Sequence, residues 1–388
     1  MDKNKLKKIL FINFITMTTF NMAHPVTPTL INTLGLPTYM FGVLYSTMAI
    51  AQFVMSPIWG SMSDTKGRKI FLILGVIGYG ISQLGFGLSE TTGTILLFRI
   101  LGGGMSVGYM TVSIAYISDV STKEERVKYM AYQTATSSIA SSVGALLGGV
   151  IGSFGYKYAF ISQFIFSIIV AIVIYMLIDE TINKKAKKLK IYFEHLKFNR
   201  KSIDLKSTIG IMMIVMTLIT ISSTSYNSTI NYYIESVLSM PTTINGAVMA
   251  VAGVIALIMN LFINPYLGKK FDENKTIIYA LIIAGVSIIT ASLSKNIFIA
   301  LIFLIIFIGS SALVTPIQQS IVSKLAKDNY GAIMGVQGSF KAVGMVTGSL
   351  VSGFIFDYGN KLPFILGGVC CLIAFIILSK SRINRKLN

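Results

Sequence analysis

Charge is the scarcest commodity in this chain: 12% of its 388 residues are ionised, and only 15 are acidic. A soluble domain of that length covers its core with a charged surface, so this composition excludes one. Cysteine is almost absent. Cys370 and Cys371 are adjacent, which leaves no disulfide framework and no metal site of ordinary ligand spacing, and both read as packing residues. The two histidines, His24 and His195, are far apart, and none of the acidic residues falls deep in an apolar segment. Without paired His or Cys, a carboxylate dyad, a phosphate-binding Gly-Lys loop or a large loop for a cofactor, the sequence argues against a membrane-embedded enzyme and against direct ATP coupling. No metal and no cofactor are expected.

What remains is apolar: 53% of the residues are hydrophobic. Twelve segments are long enough to cross a hydrocarbon core of about 30 Å. They run approximately over 9–33, 39–59, 69–89, 94–118, 127–153, 157–178, 207–234, 243–267, 275–293, 296–322, 330–356 and 362–379. Gly and Pro recur inside them, as bundled membrane helices tolerate. The expected fold class is therefore an all-α membrane protein. The N-terminal "MDKNKLKK" imitates a signal peptide, but no small-residue cleavage site follows, and an uncleaved first helix is expected.

A net charge of +18 raises the question of nucleic acid, and its placement answers it. With the N-terminus inside and sides alternating, 28 of the 33 Lys and Arg fall on the cytoplasmic side. Lys157, Lys295 and Lys361 fall outside, while Arg99 and Lys341 lie within helices. This is the positive-inside pattern, so both termini are expected in the cytoplasm of a multi-pass plasma-membrane protein, without a nucleic-acid partner. The Ile, Lys and Asn richness suggests a bacterial source.

The longest charged stretch, 179–206, separates an N-terminal half, 1–178, from a C-terminal half with its cytoplasmic tail, 207–388. Within that connector Leu189, Ile191, Phe193, Leu196 and Phe198 are interleaved with Lys and Arg, so it reads either as an amphipathic segment on the anionic inner leaflet or as a solvated linker. The halves resemble each other at an offset of about 204 residues. Met130 pairs with Met334, Gln133 with Gln337, Gly144 with Gly348, Gly149 with Gly353 and Phe160 with Phe364 in one ungapped register. Six helices repeated in one orientation imply two pseudo-symmetric halves with a site between them near the midplane, which is transporter architecture.

The charged turn "GSMSDTKGRKIFLIL" (60–74), between the second and third segments, closely resembles the signature G-x-L-a-D-r-x-G-r-k-x-x-l of the major facilitator superfamily. Gly60, Asp64, Gly67, Arg68, Lys69 and Leu72 match; Met62 stands for the Leu and Thr65 for the first basic residue. Further motifs resemble its twelve-helix drug:proton antiporters of the tetracycline and quinolone efflux type. "HPVTP", with Pro25 and Pro28, is like their P-x-x-P, and "FRILGGGMSVG" keeps Arg99 and Gly103 of R-x-x-q-G-x-g. "ASSVGALLGG" keeps Gly144, Gly148 and Gly149 of g-x-x-x-G-P-x-x-G-G, with Ala140 and Ala145 at the first Gly and the Pro. Small residues four apart let helices approach closely, in packing or in gating. Gly60 and Gly67 permit a tight turn, leaving Asp64 and Arg68 to form cytoplasmic ion pairs. The resemblance supplies Asp119 as a partner of Arg68 in a conformational latch; a merely solvated, topogenic loop is the alternative.

An embedded Arg or Lys costs roughly 2.5 to 3.5 kcal/mol on insertion scales, which marks Arg99 and Lys341 as functional candidates. Arg99 reads either as a structural donor to backbone carbonyls of the first helix or as a participant in coupling. Lys341 reads as substrate-facing or as a snorkelling surface lysine. His24 is the one embedded group that titrates ordinarily near ~6.5, either as a proton carrier or as a neutral hydrogen-bonded residue. Asn21, Gln133, Asn227 and Gln337, with Tyr226, add polar capacity of the kind that lines pockets, though some will bridge helices. Where related pumps carry an acidic residue in the seventh helix, the resemblance places Tyr226 or its neighbours.

Together these features lead to a secondary transporter working by alternating access. The expected activity is proton-coupled efflux of small amphiphilic compounds, neutral or anionic, by a monomer in the lipid bilayer. An uptake symporter or a lipid-linked glycoconjugate flippase on the same fold, and in another class a membrane receptor or scaffold, are the alternatives.

Overall fold

The first apolar segment contains Pro25 and Pro28, and the chain breaks there as proline chemistry requires. Proline has no N–H to donate and suits the first turn of a helix. In the computed structural model, which describes residues 3–182, 207–326 and 330–381, α1 (Lys3–Asn21) ends before a single 3₁₀ turn, His24–Val26. α2 (Thr27–Thr33) then completes the crossing. His24 therefore sits in a break, not in the continuous helix expected over 9–33. The remaining helices are α3 (Met40–Lys66), α4 (Arg68–Leu88), α5 (Thr92–Val120), α6 (Lys123–Gly152), α7 (Tyr156–Leu177), α8 (Thr208–Tyr232), α9 (Thr242–Ile258), α10 (Asn264–Lys270), α11 (Glu273–Leu293), α12 (Ile297–Ala326), α13 (Tyr330–Phe356) and α14 (Leu362–Lys380). A π-helical turn, Tyr233–Val237, extends α8, and another, Met259–Ile263, joins α9 to α10. Among the described residues there is no strand, and twelve helical spans are long and apolar enough to cross a membrane. The connector's amphipathic stretch and His195 lie outside the described residues.

Helix starts follow local chemistry. The side chains of Thr91, Thr122, Ser207 and Asp272 accept backbone N–H bonds at the starts of α5, α6, α8 and α11. Each thereby satisfies one or more donors that the first turn leaves without a helical partner.

Contacts divide the chain into two compact units. One comprises Met1–Leu36, Thr47–Phe193 and Ile234–Val254; the other comprises Pro37–Ser46, Glu194–Tyr233 and Ile255–Asn388. In the first, a core of Leu6, Ile9, Phe71, Tyr79, Tyr109 and Ile174, among others, is closed to solvent. In the second, Met212, Leu281, Phe307, Val314 and Ala374 do the same. The repeat visible in the sequence has a packing counterpart inside each unit. Gly144 of α6 lies on the Thr18 backbone of α1, and its repeat mate Gly348 of α13 lies on the Ile221 backbone of α8. Gln133 donates to Ser113 Oγ at 2.8 Å, and its mate Gln337 donates to Gln318 Oε1 at 2.8 Å.

Candidate functional site

The charged turn is tighter than its composition suggests. Ser61 to Lys66, expected in a loop, are the last turns of α3, and α4 starts at Arg68, so Gly67 is the entire connection. Its φ of +105° is a conformation that side chains other than glycine rarely adopt. Gly60 has no such role. It lies inside α3, where an added Cβ would meet the Thr111 methyl at an ordinary 3.6 Å, which corrects the expectation that it opens a turn.

Arg68 is buried, and its guanidinium is divided between two carboxylates. Nη1 lies 2.6 Å from Asp64 Oδ1 and donates to Ser63 Oγ at 2.7 Å, while Nε donates to Asp119 Oδ2 at 2.9 Å. The fixed fork of arginine suits this arrangement, where the point charge of lysine would not. So the sequence-derived set of Asp64, Gly67, Arg68 and Asp119 is assembled in one place at the cytoplasmic end. Lys69 joins it through its backbone and lays its ammonium over the Tyr175 ring, 4.7 Å from the centroid.

Two members of the cluster escaped the sequence reading. Glu180, 112 residues from Arg68, accepts the N–H of Arg68 at 2.8 Å on Oε1 and that of Lys69 at 3.1 Å on Oε2. It caps α4 in place of an N-cap side chain, which Gly67 cannot provide, and puts negative charge at the positive end of the helix. A Cβ on Gly67 would collide with this carboxylate. Thr181 donates to the same Asp119 Oδ2 at 3.0 Å. Burial by itself raises the Glu180 pKa, but backbone N–H groups of Arg68, Ile182, Lys69 and Thr181 outweigh it and hold the carboxyl below its ordinary range. At the corresponding loop of the second unit the signs are reversed: Lys324 Nζ lies 2.6 Å from Glu273 Oε2, and Ser320 donates to Glu273 Oε1 at 2.9 Å.

Arg99 is buried in the first unit at the end of a polar relay. Its Nη1 donates to Gln83 Oε1 at a long 3.5 Å and its guanidinium stacks on Phe86, 4.5 Å from the ring centroid. Gln83 donates to Gln163 at 3.2 Å, and Gln163 donates to the carbonyls of Thr19 and Phe20 at 2.8 and 3.1 Å. The first-helix carbonyls expected to meet Arg99 are thus reached through two glutamines of α4 and α7. Each is one amide in a predominantly apolar helix, a signal that a hydropathy window averages away.

The other candidates scatter. His24 is half-buried, and Pro25 beside it accepts a 3.0 Å bond from Asn245. Asn21 donates to Met17 of its own helix at 2.7 Å. Tyr226 is in the second unit's core, its ring 5.2 Å from Phe307 and 6.4 Å from Phe364. Asn227 and Lys341 are both exposed. Gly148 abuts the Met22 carbonyl, Gly149 faces the Thr242 carbonyl, and Gly103 faces that of Met48. Among the described residues no group of His, Cys, Asp and Glu could hold a metal ion.

Comparison with known proteins bears on what such an assembly does. The family model described as Major Facilitator Superfamily matches residues 9–269 and 212–386. Multidrug resistance protein 2 of Bacillus subtilis (strain 168) is 24% identical over 365 residues, which is 93% of this chain and 90% of the relative. The quinolone resistance protein NorA of Staphylococcus aureus is 25% identical over 390 residues, covering 99% and 98%. Among solved structures, a bacterial homologue of the human lysosomal transporter Spinster, inward-facing and occupied, superposes with a TM-score of 0.77 at 14% identity, covering 98% of this chain and 97% of that one. That last likeness shows the fold.

Proposed function

The chain belongs to the Major Facilitator Superfamily, as a multi-pass plasma-membrane transporter and not an enzyme, and on that premise we propose that it exports small amphiphilic compounds in exchange for protons. The multidrug and quinolone resistance relatives support the direction and the substrate class. The observation that carries the mechanism is the Arg68 cluster. A buried guanidinium shared by Asp64 and Asp119 can let go only by giving up whole ion pairs, so breaking them can accompany a change of access instead of a continuous drift. Arg99 and Lys341 supply positive charge inside the membrane span, with no carboxylate opposite them in the middle of a helix among the described residues. Neutral or anionic amphiphiles are therefore favoured over lipophilic cations. A single chain carries both units, so a monomer suffices, and the proton gradient supplies the energy with His24 as a candidate carrier.

Purified protein in liposomes with an imposed pH gradient tests this. Gradient-dependent movement of a neutral or anionic fluorescent amphiphile is expected, slowed by Lys341→Ala and by His24→Ala. Vigorous movement of ethidium that neither substitution affects would refute the charge argument.

A further inference from the structure

The second unit contains a crevice that the transport reading does not use. It lies between the α9–α10 stretch, α11 and α12, encloses about 570 Å³, and is walled by Ile255, Met259, Ala280, Ile305 and Leu313. Asp272, Lys275 and Thr276 form a polar rim at one end, and the Ser310 hydroxyl in the wall is turned to the Ile306 carbonyl of its own helix at 2.7 Å. The open side faces outward: Tyr279, Ile283, Ile305 and Ile306 are exposed apolar side chains on helices that cross the membrane. One departure from regular helix and one missing side chain border the space. The π-helical turn at Met259–Ile263 displaces the wall that Met259 belongs to, in a form of helix frequent at functional sites. Gly309 leaves a slot opposite, where a Cβ would stand at ordinary contact distance, 3.7 Å from Met259 and 3.8 Å from Ile255.

The rim is on the side assigned to the cytoplasm: Lys275 stands on it with Asp272, and Lys269 and Lys270 just precede the lining residue Phe271. Lys269, Lys270 and Lys275 are all exposed, and none pairs with a carboxylate among the described residues. Lys270 reaches only the Tyr266 hydroxyl, at 3.2 Å, and lies over the Tyr266 and Phe271 rings at 5.7 and 5.8 Å. The rim carboxylate, Asp272, turns Oδ1 inward to cap α11 through the N–H groups of Asn274 and Lys275. An apolar slot open to the bilayer, with Lys275 on its inner-leaflet rim and the exposed Lys269 and Lys270 beside the lining residue Phe271, matches one chemistry: an acyl chain in the slot and a phosphate at the lysines.

We propose that this crevice binds an anionic glycerophospholipid of the inner leaflet. Basic groups beside an anionic membrane surface are worth about fivefold in affinity each. Selection for anionic headgroups then comes from the three lysines, and residence comes from the slot. Full-length protein in detergent, titrated with phosphatidylglycerol or phosphatidylcholine and read by native mass spectrometry, tests it. The wild type is expected to retain phosphatidylglycerol in preference. Gly309→Leu, which fills the slot without a backbone clash, is expected to weaken retention of both lipids about tenfold. Joint replacement of Lys269, Lys270 and Lys275 by Gln, all surface changes, is expected to bring the two lipids to parity. Equal retention of both lipids by the wild type would overturn the proposal. So would wild-type retention of phosphatidylglycerol by both variants, or its displacement by a transported amphiphile that Gly309→Leu also excludes, which would make the crevice a cargo site. The lipid-retention readouts do not depend on transport, so the proposal can fail while the transport reading stands.

Discussion

Replacing Glu180 by Ala removes the acceptor for the first two N–H groups of α4 and leaves Arg68 and its carboxylate partners in place. Loss of a helix cap costs about 0.5–2 kcal/mol. Because Glu180 is exposed, its attraction to the helix end is screened, so the lower half of that range applies, about 1 kcal/mol. Opening of the first turn should then become about fivefold more frequent, since a tenfold change corresponds to about 1.4 kcal/mol. Amide hydrogen exchange reports such local opening directly. In a peptide covering 67–72, exchange measured by mass spectrometry should accelerate about fivefold, while the first turn of α5, capped independently by Thr91, should not change. The pH dependence has a definite sign. The folded-state pKa of Glu180 is depressed, so the cap is fully present above the ordinary carboxylate range, near ~4.3, and is lost as pH falls through the lower folded value. After correction for intrinsic exchange rates, wild-type protection should hold at neutral pH and fall only below that range. Acceleration of less than twofold in the variant, or an equal change at both helix starts, would refute this account of Glu180.

Further outcomes follow from the same geometry. Gly60→Ala should be neutral to folding or stabilising by up to about 1 kcal/mol, because its Cβ has room beside Thr111 and alanine favours helix. Gly148→Ala drives a Cβ into the Met22 carbonyl and should lower the thermal unfolding temperature, at an overpacking cost of about 1–3 kcal/mol. Melting of Gly148→Ala at the wild-type temperature would contradict the second assignment, and a lowered melting of Gly60→Ala the first. Gln163→Leu removes one donor from each of the Thr19 and Phe20 carbonyls, which keep the Met22 N–H and the Tyr79 hydroxyl respectively, and takes the acceptor from buried Gln83 Nε2, a loss of about 1–3 kcal/mol. A variant as heat-stable as wild type would mean that the relay from Arg99 contributes nothing to the fold. Arg68→Lys keeps the charge but cannot span Asp64, Asp119 and Ser63 together, so proteoliposome transport should fall well below wild type despite normal insertion.

The helices were legible because membrane crossing imposes a length and an apolar composition that few other constraints override. Their ends were less so. Ser61 to Lys66 read as a loop because charge was taken as the edge of the membrane, yet a helix can carry charge beyond it as long as its backbone bonds close. The break at His24 was written in Pro25 and Pro28, but one helix was expected because hydropathy stays high on both sides. Asp64, Arg68 and Asp119 could be grouped because a sequence pattern joined them. Glu180 could not: its role is set by two backbone N–H groups 111 and 112 residues away, and an acid following a helix normally signals only the membrane edge. Gln83 and Gln163 were hidden for a related reason, since a hydropathy average does not register one polar residue whose partners come from other helices.

The internal repeat separates what the duplication constrains from what it leaves free. Backbone contact of a glycine with its neighbouring helix is kept in both units, at Gly144 and Gly348, because any side chain there would force the helices apart. A glutamine donating across to the preceding helix is kept as well, at Gln133 and Gln337, since a buried amide without a partner is costly. The charged loops are not kept. Arg68 faces two carboxylates in the first unit, whereas at the second unit's equivalent turn the buried-side partner is the acid Glu273, answered by exposed Lys324. Ion pairs at a membrane edge contribute little to folding when exposed, so their signs can diverge without loss of stability. Only Arg68 is drawn out of solvent and given several acceptors at once, which costs desolvation that an exposed pair avoids. A purely topogenic loop needs positive charge but no such burial, and this asymmetry between otherwise matched turns is the strongest physical reason to look for the proposed latch in the first unit.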